Sequence, residues 1–382
     1  MAKIFLTGVT GLVGSAFVTA LLKDRPDTEF LCLSRGGKNR TPQERVESAL
    51  RDQCIFDNEP ERYDEVMRHI TVIPGDVVDV DVEALAADPR MADVEQFFHC
   101  AADVNLGKDP TGKTFKINFH GTENMLALAH KLPKLKEFHY VSTAYVAGRT
   151  RGISPEDQVQ DNGFNNPYEE SKFKAELLVR NSGFPFTIYR PAIITGRRGD
   201  GRIRRPLAFY RILEFIAKAK SHRCSKLKID PTERVDINLH FRAIPSERVY
   251  FVPIDYVQEA ITKAFQLPAT NQTYHVTGDS PVTTMMIDEA VCEVIKLANV
   301  SIDLDEEREA TADEKLLERL LGDLFPYFSA DVIFAQDNIR RAIGGEALNW
   351  TFGKEELAEM MRNYYRDFFP NTEWIKKLMA EG

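Results

Sequence analysis

Tyr168 and Lys172, four residues apart in the stretch YEESK, form a pair that could hand a proton to an oxygen gaining negative charge. A free phenol ionises near pH 10 and is a reluctant acid at neutral pH. A lysine one helical turn further on shares its face, favours the phenolate and would lower that value. Reduction of a carbonyl by hydride needs such a donor, because the hydride leaves the charge on oxygen. The chain has twelve tyrosines, so about one such spacing is expected by chance, and the pair gains weight only from its neighbours. Thr143 stands 25 residues earlier in the apolar run FHYVSTAYV (138–146), where its hydroxyl, with that of Ser142 as a substitute, would orient the same carbonyl. Asn118 would help to position it or extend a proton path; the plainer reading of an asparagine in a helix is a bond to nearby backbone.

A hydride needs a carrier, and the N-terminus reads as a loop that holds one. The stretch TGVTGLVG (7–14) follows an apolar run and opens a helical pattern, the context in which three glycines bind a dinucleotide. Gly8 permits the tight turn, Gly11 lets backbone approach a pyrophosphate, and Gly14 lets helix and strand pack closely. Thr7, Thr10, Leu12 and Val13 complete the loop, and the N–H groups of the helix start would receive the phosphates. At the end of the second strand, LCLSRGGKNR (31–40) has no acid to bond an adenosine ribose. It has Ser34, Arg35 and Lys38, with Arg45 in the helix that follows, and cations there suit a 2′-phosphate. Arg35 is the expected selector of NADP(H). Asp76, in the GDV that closes the third strand beside Val77, would meet the adenine edge.

These residues need a frame. From residue 3 to about 195, short apolar runs (3–8, 30–34, 70–75, 96–102, 138–146 and 186–194) alternate with helical patterns at 11–23, 114–132 and 167–180. Strict alternation predicts an α/β fold with a doubly wound parallel sheet, which binds its ligand at the carboxyl ends of the strands. The expected division is a dinucleotide-binding core over 1–196, with 249–280 returning to it, and a smaller, mostly helical substrate-binding region made of 197–248 and 281–382. Residues 197–248 hold fourteen Lys or Arg against six Asp or Glu, in a chain of net charge −9. Arginines 197, 198, 202, 204 and 205 repel one another unless something negative is near, so the segment reads either as a solvated excursion or as a rim that receives an anionic substrate at the cleft mouth.

Composition excludes other classes. The 43% apolar and 28% charged content is that of a globular chain, the acidic balance disfavours nucleic acid, and no run approaches the roughly 20 apolar residues that span a bilayer. The five cysteines are scattered without a CxxC, and the eight histidines form no HExxH, so neither a disulfide framework nor a metal site is expected. The acidic runs 76–83 and 303–309 read as solvated faces. The N-terminus enters a strand at once, which points to a cytoplasmic protein.

In order along the chain, TGVTGLVG, GDV (75–77), HCAAD (99–103), NFHGTENML (118–126), VSTAYV, YEESK and RPAII resemble the motifs of the extended short-chain dehydrogenase/reductases. The phrases LCLSRG, FHYVSTAYVAG, FTIYRPAIITG and VPIDYVQEAI most resemble the thioester reductase and fatty acyl reductase branch. The resemblance implies NADPH-dependent reduction of an acyl thioester to an aldehyde, or onward to an alcohol, with Thr143, Tyr168 and Lys172 as the triad. It also implies cofactor contacts from Cys100, Ala101 and Ala102, and from Arg190, Pro191, Ala192, Ile193 and Ile194. The thioester would be carried by coenzyme A or an acyl carrier protein. A reductase of ketones, β-ketoacyl groups or aldehydes is the alternative; Arg35 argues against a nucleotide-sugar epimerase, and an intact triad argues against a non-catalytic sensor.

Overall fold

A computed structural model describes residues 2–279, 281–303, 309–311, 314–315, 318–319, 322–328, 331–348, 350 and 352–381. Seven strands form one sheet: β1 (Lys3–Thr7), β2 (Glu29–Ser34), β3 (Ile70–Pro74), β4 (Gln96–His99), β5 (Glu137–Val141), β6 (Phe186–Pro191) and β7 (Gln272–Val276). Their order is β7-β6-β5-β4-β1-β2-β3, and every pair is parallel. The order reverses between β1 and β4. That switch opens a crevice at the carboxyl ends, directly above the glycine loop that leaves β1.

Alternation along β1 divides the two faces, with Ile4 and Leu6 in one core and Phe5 in the other. On the first face pack α1 (Leu12–Asp24), α2 (Pro42–Phe56) and, from later in the chain, a helix at Ile254–Phe265. Phe17 of α1 stacks on Phe98 of β4 with centroids 3.9 Å apart, and both rings are essentially fully buried. Burial of such a side chain contributes about 1.5–3 kcal/mol. The second face is covered by α3 (Gly121–Ala129) and α4 (Pro167–Arg180). Entry into α2 is set by a capping box between Thr41 and Glu44 with Pro42 at the first helical position.

The run 138–146 does not stay extended: β5 stops at Val141, and Thr143 caps a short 3₁₀ turn, Ala144–Ala147. The pattern over 114–132 is interrupted by a π-helical turn at Lys116–His120. Beyond the sheet, α5 (Phe209–Leu227), α6 (Ile254–Phe265, the helix named above), α7 (Thr284–Val294) and α8 (Lys354–Phe368) follow. Helices α5, α7 and α8 share a third core with a parallel strand pair, Val235–Arg242 against Leu297–Asp303. This pair departs from the expected helical character, since the pattern 285–298 ends as a helix at Val294 and turns into a strand. Residues 304–308 of the second acidic run lie outside the described residues. Among the described residues no helix is long and apolar enough to cross a membrane.

Candidate active site

A cleft of about 490 Å³ runs across the carboxyl ends of the sheet. At its centre lies the loop between β1 and α1. Gly8 has φ +83°, and a Cβ there would stand 2.6 Å from the Cys100 carbonyl carbon; at Gly14 it would collide with the Gly8 carbonyl oxygen. Both positions are thus closed to any side chain. Gly11 is the N-cap of α1 and offers no side-chain cap, while Thr10, Gly11, Leu12 and Val13 line the cleft. The uncapped N–H groups and the helix dipole suit a pyrophosphate, so the residues present fit a dinucleotide.

Thr7 and Gly14 lie beneath this surface rather than on it. Thr7 Oγ1 accepts from the backbone N–H groups of Cys100 and Ala101, each at 3.2 Å, and lies 2.6 Å from His99 Nδ1. Burial holds His99 neutral, pushing it down to about 3. One tautomer satisfies the whole chain: Thr7 donates to Nδ1, Nε2–H donates to Thr122, and Thr122 donates to the Asn118 carbonyl. This network fixes Cys100, Ala101 and Ala102 against the glycine loop, and all three line the cleft.

At one end the lining is Ser34, Arg35, Arg45, Asp76 and Val77. Arg35 Nη1 lies 3.2 Å from Asp76 Oδ2, and Arg45 donates to the Arg35 carbonyl at 2.6 Å. Burial, then the charges of Arg35 and Arg205, hold the Arg45 guanidinium below its usual value. Lys38 lines an adjoining hollow of about 380 Å³ with Arg40, Arg45, Arg204 and Arg205. Arg205 reaches both spaces.

The basic segment runs along the cleft, which Arg205, Leu207, Ala208 and Phe209 line. Arg204 donates to Gly11 O and to Ser15 Oγ at 3.1 and 2.6 Å, which straps the segment across the glycine loop. Three more of its arginines meet the protein's own acids: Arg197 meets Asp200, Arg198 meets Asp255 and Glu259, and Arg202 meets Asp367. At these three positions the repulsion read from the sequence is relieved internally, whereas Arg205 still faces Arg45 and Arg204.

At the middle of the cleft stand Thr143, Tyr168 and Lys172. Asn166 caps α4 by accepting from Glu169 N at 3.0 Å, with Pro167 at the first helical position, so Tyr168 enters the cleft from the first turn. Lys172, one turn on, donates to the Val141 carbonyl at 2.7 Å and lies 4.1 Å from the Tyr140 ring centre. Burial pushes Lys172 down to about 7 and Tyr168 up to about 12, with a hydrogen bond from Thr143 opposing the second shift. The expected lowering of the phenol by Lys172 is not found, because desolvation dominates and the ammonium is spent on a backbone carbonyl.

Three further expectations change. Ser142 lines the cleft, yet its hydroxyl donates to Glu176 Oε2 at 2.9 Å and is not available as a substitute for Thr143. Asn118 is buried: its amide donates to Asp103 O and Ser171 Oγ and accepts from Asp103 N, so it ties the loop after β4 to α4 and does not line the cleft. Arg190 is 1% exposed and faces the far side of β6, gripping Glu176 at 2.6 and 3.1 Å and the carbonyls of Pro155 and Gln158. The pair holds Glu176 down to about 2. The neighbours Pro191, Ala192, Ile193 and Ile194 do line the cleft.

The wall facing the sheet is made of residues that no motif announced: Leu106, Leu207, Phe209, Leu324, Tyr327 and Phe328. Tyr327 sits edge-on to Tyr145 at 4.6 Å and accepts from Asn166 Nδ2 at 2.8 Å. Its only sequence signal was an aromatic-rich stretch interrupted by Pro326.

Residues 6–261 match the NAD-binding family described as "Male sterility protein". The chain belongs to that family. With it the chain joins the extended short-chain dehydrogenase/reductases, which are NAD(P)-dependent oxidoreductases. This male sterility family member is 27% identical to aldehyde reductase lnbA of Aspergillus flavus over 75% of its own length and 27% of the relative's. It is 30% identical to fatty acyl-CoA reductase 2 of Homo sapiens over 37% of its own length and 28% of the relative's. The chain spans about a quarter of the length of the fungal relatives it matches. Among solved structures, the terminal R domain of the myxalamid PKS-NRPS pathway overlays with a TM-score of 0.73 at 22% identity, covering 97% of this chain and 92% of that one.

Proposed function

We propose that the protein is an NADPH-dependent reductase of acyl thioesters, delivered on coenzyme A or on a carrier protein, that yields an aldehyde and, where reduction continues, an alcohol. The observation that carries the reading is the meeting of two unlike surfaces at Tyr168 and Thr143: a glycine-rich backbone cradle on one side and an apolar wall of Phe209, Leu324 and Phe328 on the other. The relatives named as aldehyde and fatty acyl-CoA reductases, and the likeness to a terminal R domain, support it.

Gly11, Leu12 and Val13 would hold the pyrophosphate, Lys172 the nicotinamide ribose, and Arg35, Arg45 and Arg205 a 2′-phosphate. A bound NADPH supplies the hydride. Tyr168, neutral across the physiological range because burial raises its pKa to about 12, keeps its proton until charge develops on the substrate oxygen, and hands it over there. Thr143 steers that oxygen toward the phenol. Collapse of the resulting hemithioacetal returns the hydroxyl proton to Tyr168 and expels the sulfur as a thiolate, which takes its proton from solvent.

Purified protein with NADPH is offered acyl-coenzyme A, carrier-bound acyl groups, β-ketoacyl thioesters and simple ketones, and products are identified by mass. Free thiol equal to the sum of aldehyde and alcohol is expected. A β-hydroxyacyl product with its thioester intact moves the assignment to ketone chemistry.

A further inference from the structure

Next to the cleft lies a second space of about 60 Å³, bordered by α5, α7 and the strand pair Val235–Arg242 and Leu297–Asp303. Two residues, Phe209 and Phe328, line both it and the cleft. Their ring centres are 6.2 Å apart at 39°, so together they make the partition between the two spaces. Behind the partition the wall is aliphatic, with Ile212, Ile216, Ile287 and Val291 among its members. Two polar side chains reach it, and both are engaged: Thr284 Oγ1 donates to the Phe328 carbonyl at 2.9 Å, and Asp288 accepts from the Cys292 thiol at 3.5 Å.

Resting on the thioester reading above, we propose that this pocket receives the far end of a linear, apolar acyl chain passing between Phe209 and Phe328, and that its depth limits chain length. The aliphatic wall offers amide groups few partners beyond Thr284 and Asp288, and each unpaired one would be held back by its lost hydration. Methylene groups meet no such obstacle. The small volume admits only a short stretch of chain beyond the rings. Thr284 ties the backbone at Phe328 to the start of α7.

The test is the chain-length profile of kcat/KM on straight saturated acyl-coenzyme A thioesters, from acetyl upward, for the wild type, Ile216→Phe and Ile216→Ala. In the wild type kcat/KM should rise by about fourfold for each methylene that enters the pocket, and stop rising once the pocket is full. Ile216→Phe should move the optimum to shorter chains and Ile216→Ala to longer ones. Opposite shifts distinguish pocket depth from general damage, which lowers every chain alike. Should Ile216→Phe not fold, the direction of the Ile216→Ala shift decides. A profile that is flat in the wild type, or an optimum that neither variant moves, overturns the pocket while leaving thioester reduction standing. A protein that reduces no thioester of any length overturns both.

Discussion

The sheet side of the cleft is built from backbone and small side chains within a few residues of a strand end, around Gly8, Cys100 and Pro191, whereas the facing side is built from large side chains drawn from residues 106, 207–209 and 324–328. The first surface is held by dense polar ties, such as the Thr7–His99–Thr122 chain. The second is held by packing, as in the contacts of Phe209 with Phe251 and Phe328. A phosphate-bearing ligand common to many reactions needs fixed N–H groups and tolerates no intrusion. A variable acyl group needs shape, which exchangeable apolar side chains can supply.

Tyr168→Phe tests whether chemistry can be separated from the cofactor surface. It should lower kcat by about 10²–10⁴ while leaving NADPH affinity, followed by nicotinamide fluorescence, nearly unchanged. Turnover close to the wild type would place the proton donor elsewhere.

Arg190→Met asks whether the ties beneath the sheet surface are structural. It leaves Glu176 buried with only Arg180 as a cationic partner, so stability in urea should fall by about 3–5 kcal/mol. NADPH affinity of the folded variant should be retained. A selective loss of that affinity at unchanged stability would restore Arg190 to the cofactor site.

Arg205 crosses the divide, since a segment that follows β6 reaches back to the sheet's ligand surface. Arg35→Ala and Arg205→Ala should each narrow the preference for NADPH over NADH by roughly 1.5–3 kcal/mol, the scale of a hydrogen bond to a charged group. Titration of both cofactors checks this. An unchanged ratio in Arg205→Ala confines 2′-phosphate recognition to the strand-end cations.

Ser142→Ala should have the smallest effect: about 1 kcal/mol of stability for the lost bond to Glu176, with kcat unaltered because that hydroxyl is already committed. Calorimetry and steady-state rates measure the two. A tenfold fall in kcat would return Ser142 to the reacting carbonyl.

The parallel doubly wound sheet and the position of the glycine loop were legible in the sequence, because each is written in neighbouring residues: alternating runs dictate strands and helices, and Gly8 and Gly14 stand where any Cβ would strike backbone. Tyr168 and Lys172 were legible for the same reason, being one helical turn apart on α4. What the side chains would face was not. Arg190, Asn118 and Ser142 stand in the expected stretches, but their partners Glu176, Asp103 and Ser171 come from other elements, and only the assembled core turned them inward. Lys172 spends its ammonium on Val141, and burial raises Tyr168, because desolvation depends on everything packed around a group and not on its neighbours in the chain. Tertiary structure likewise decided that Arg205 serves the strand-end surface and that Phe209 and Phe328, 119 positions apart, share a partition. Local conformation follows local sequence; surfaces made of distant residues exist only once the chain has closed upon itself.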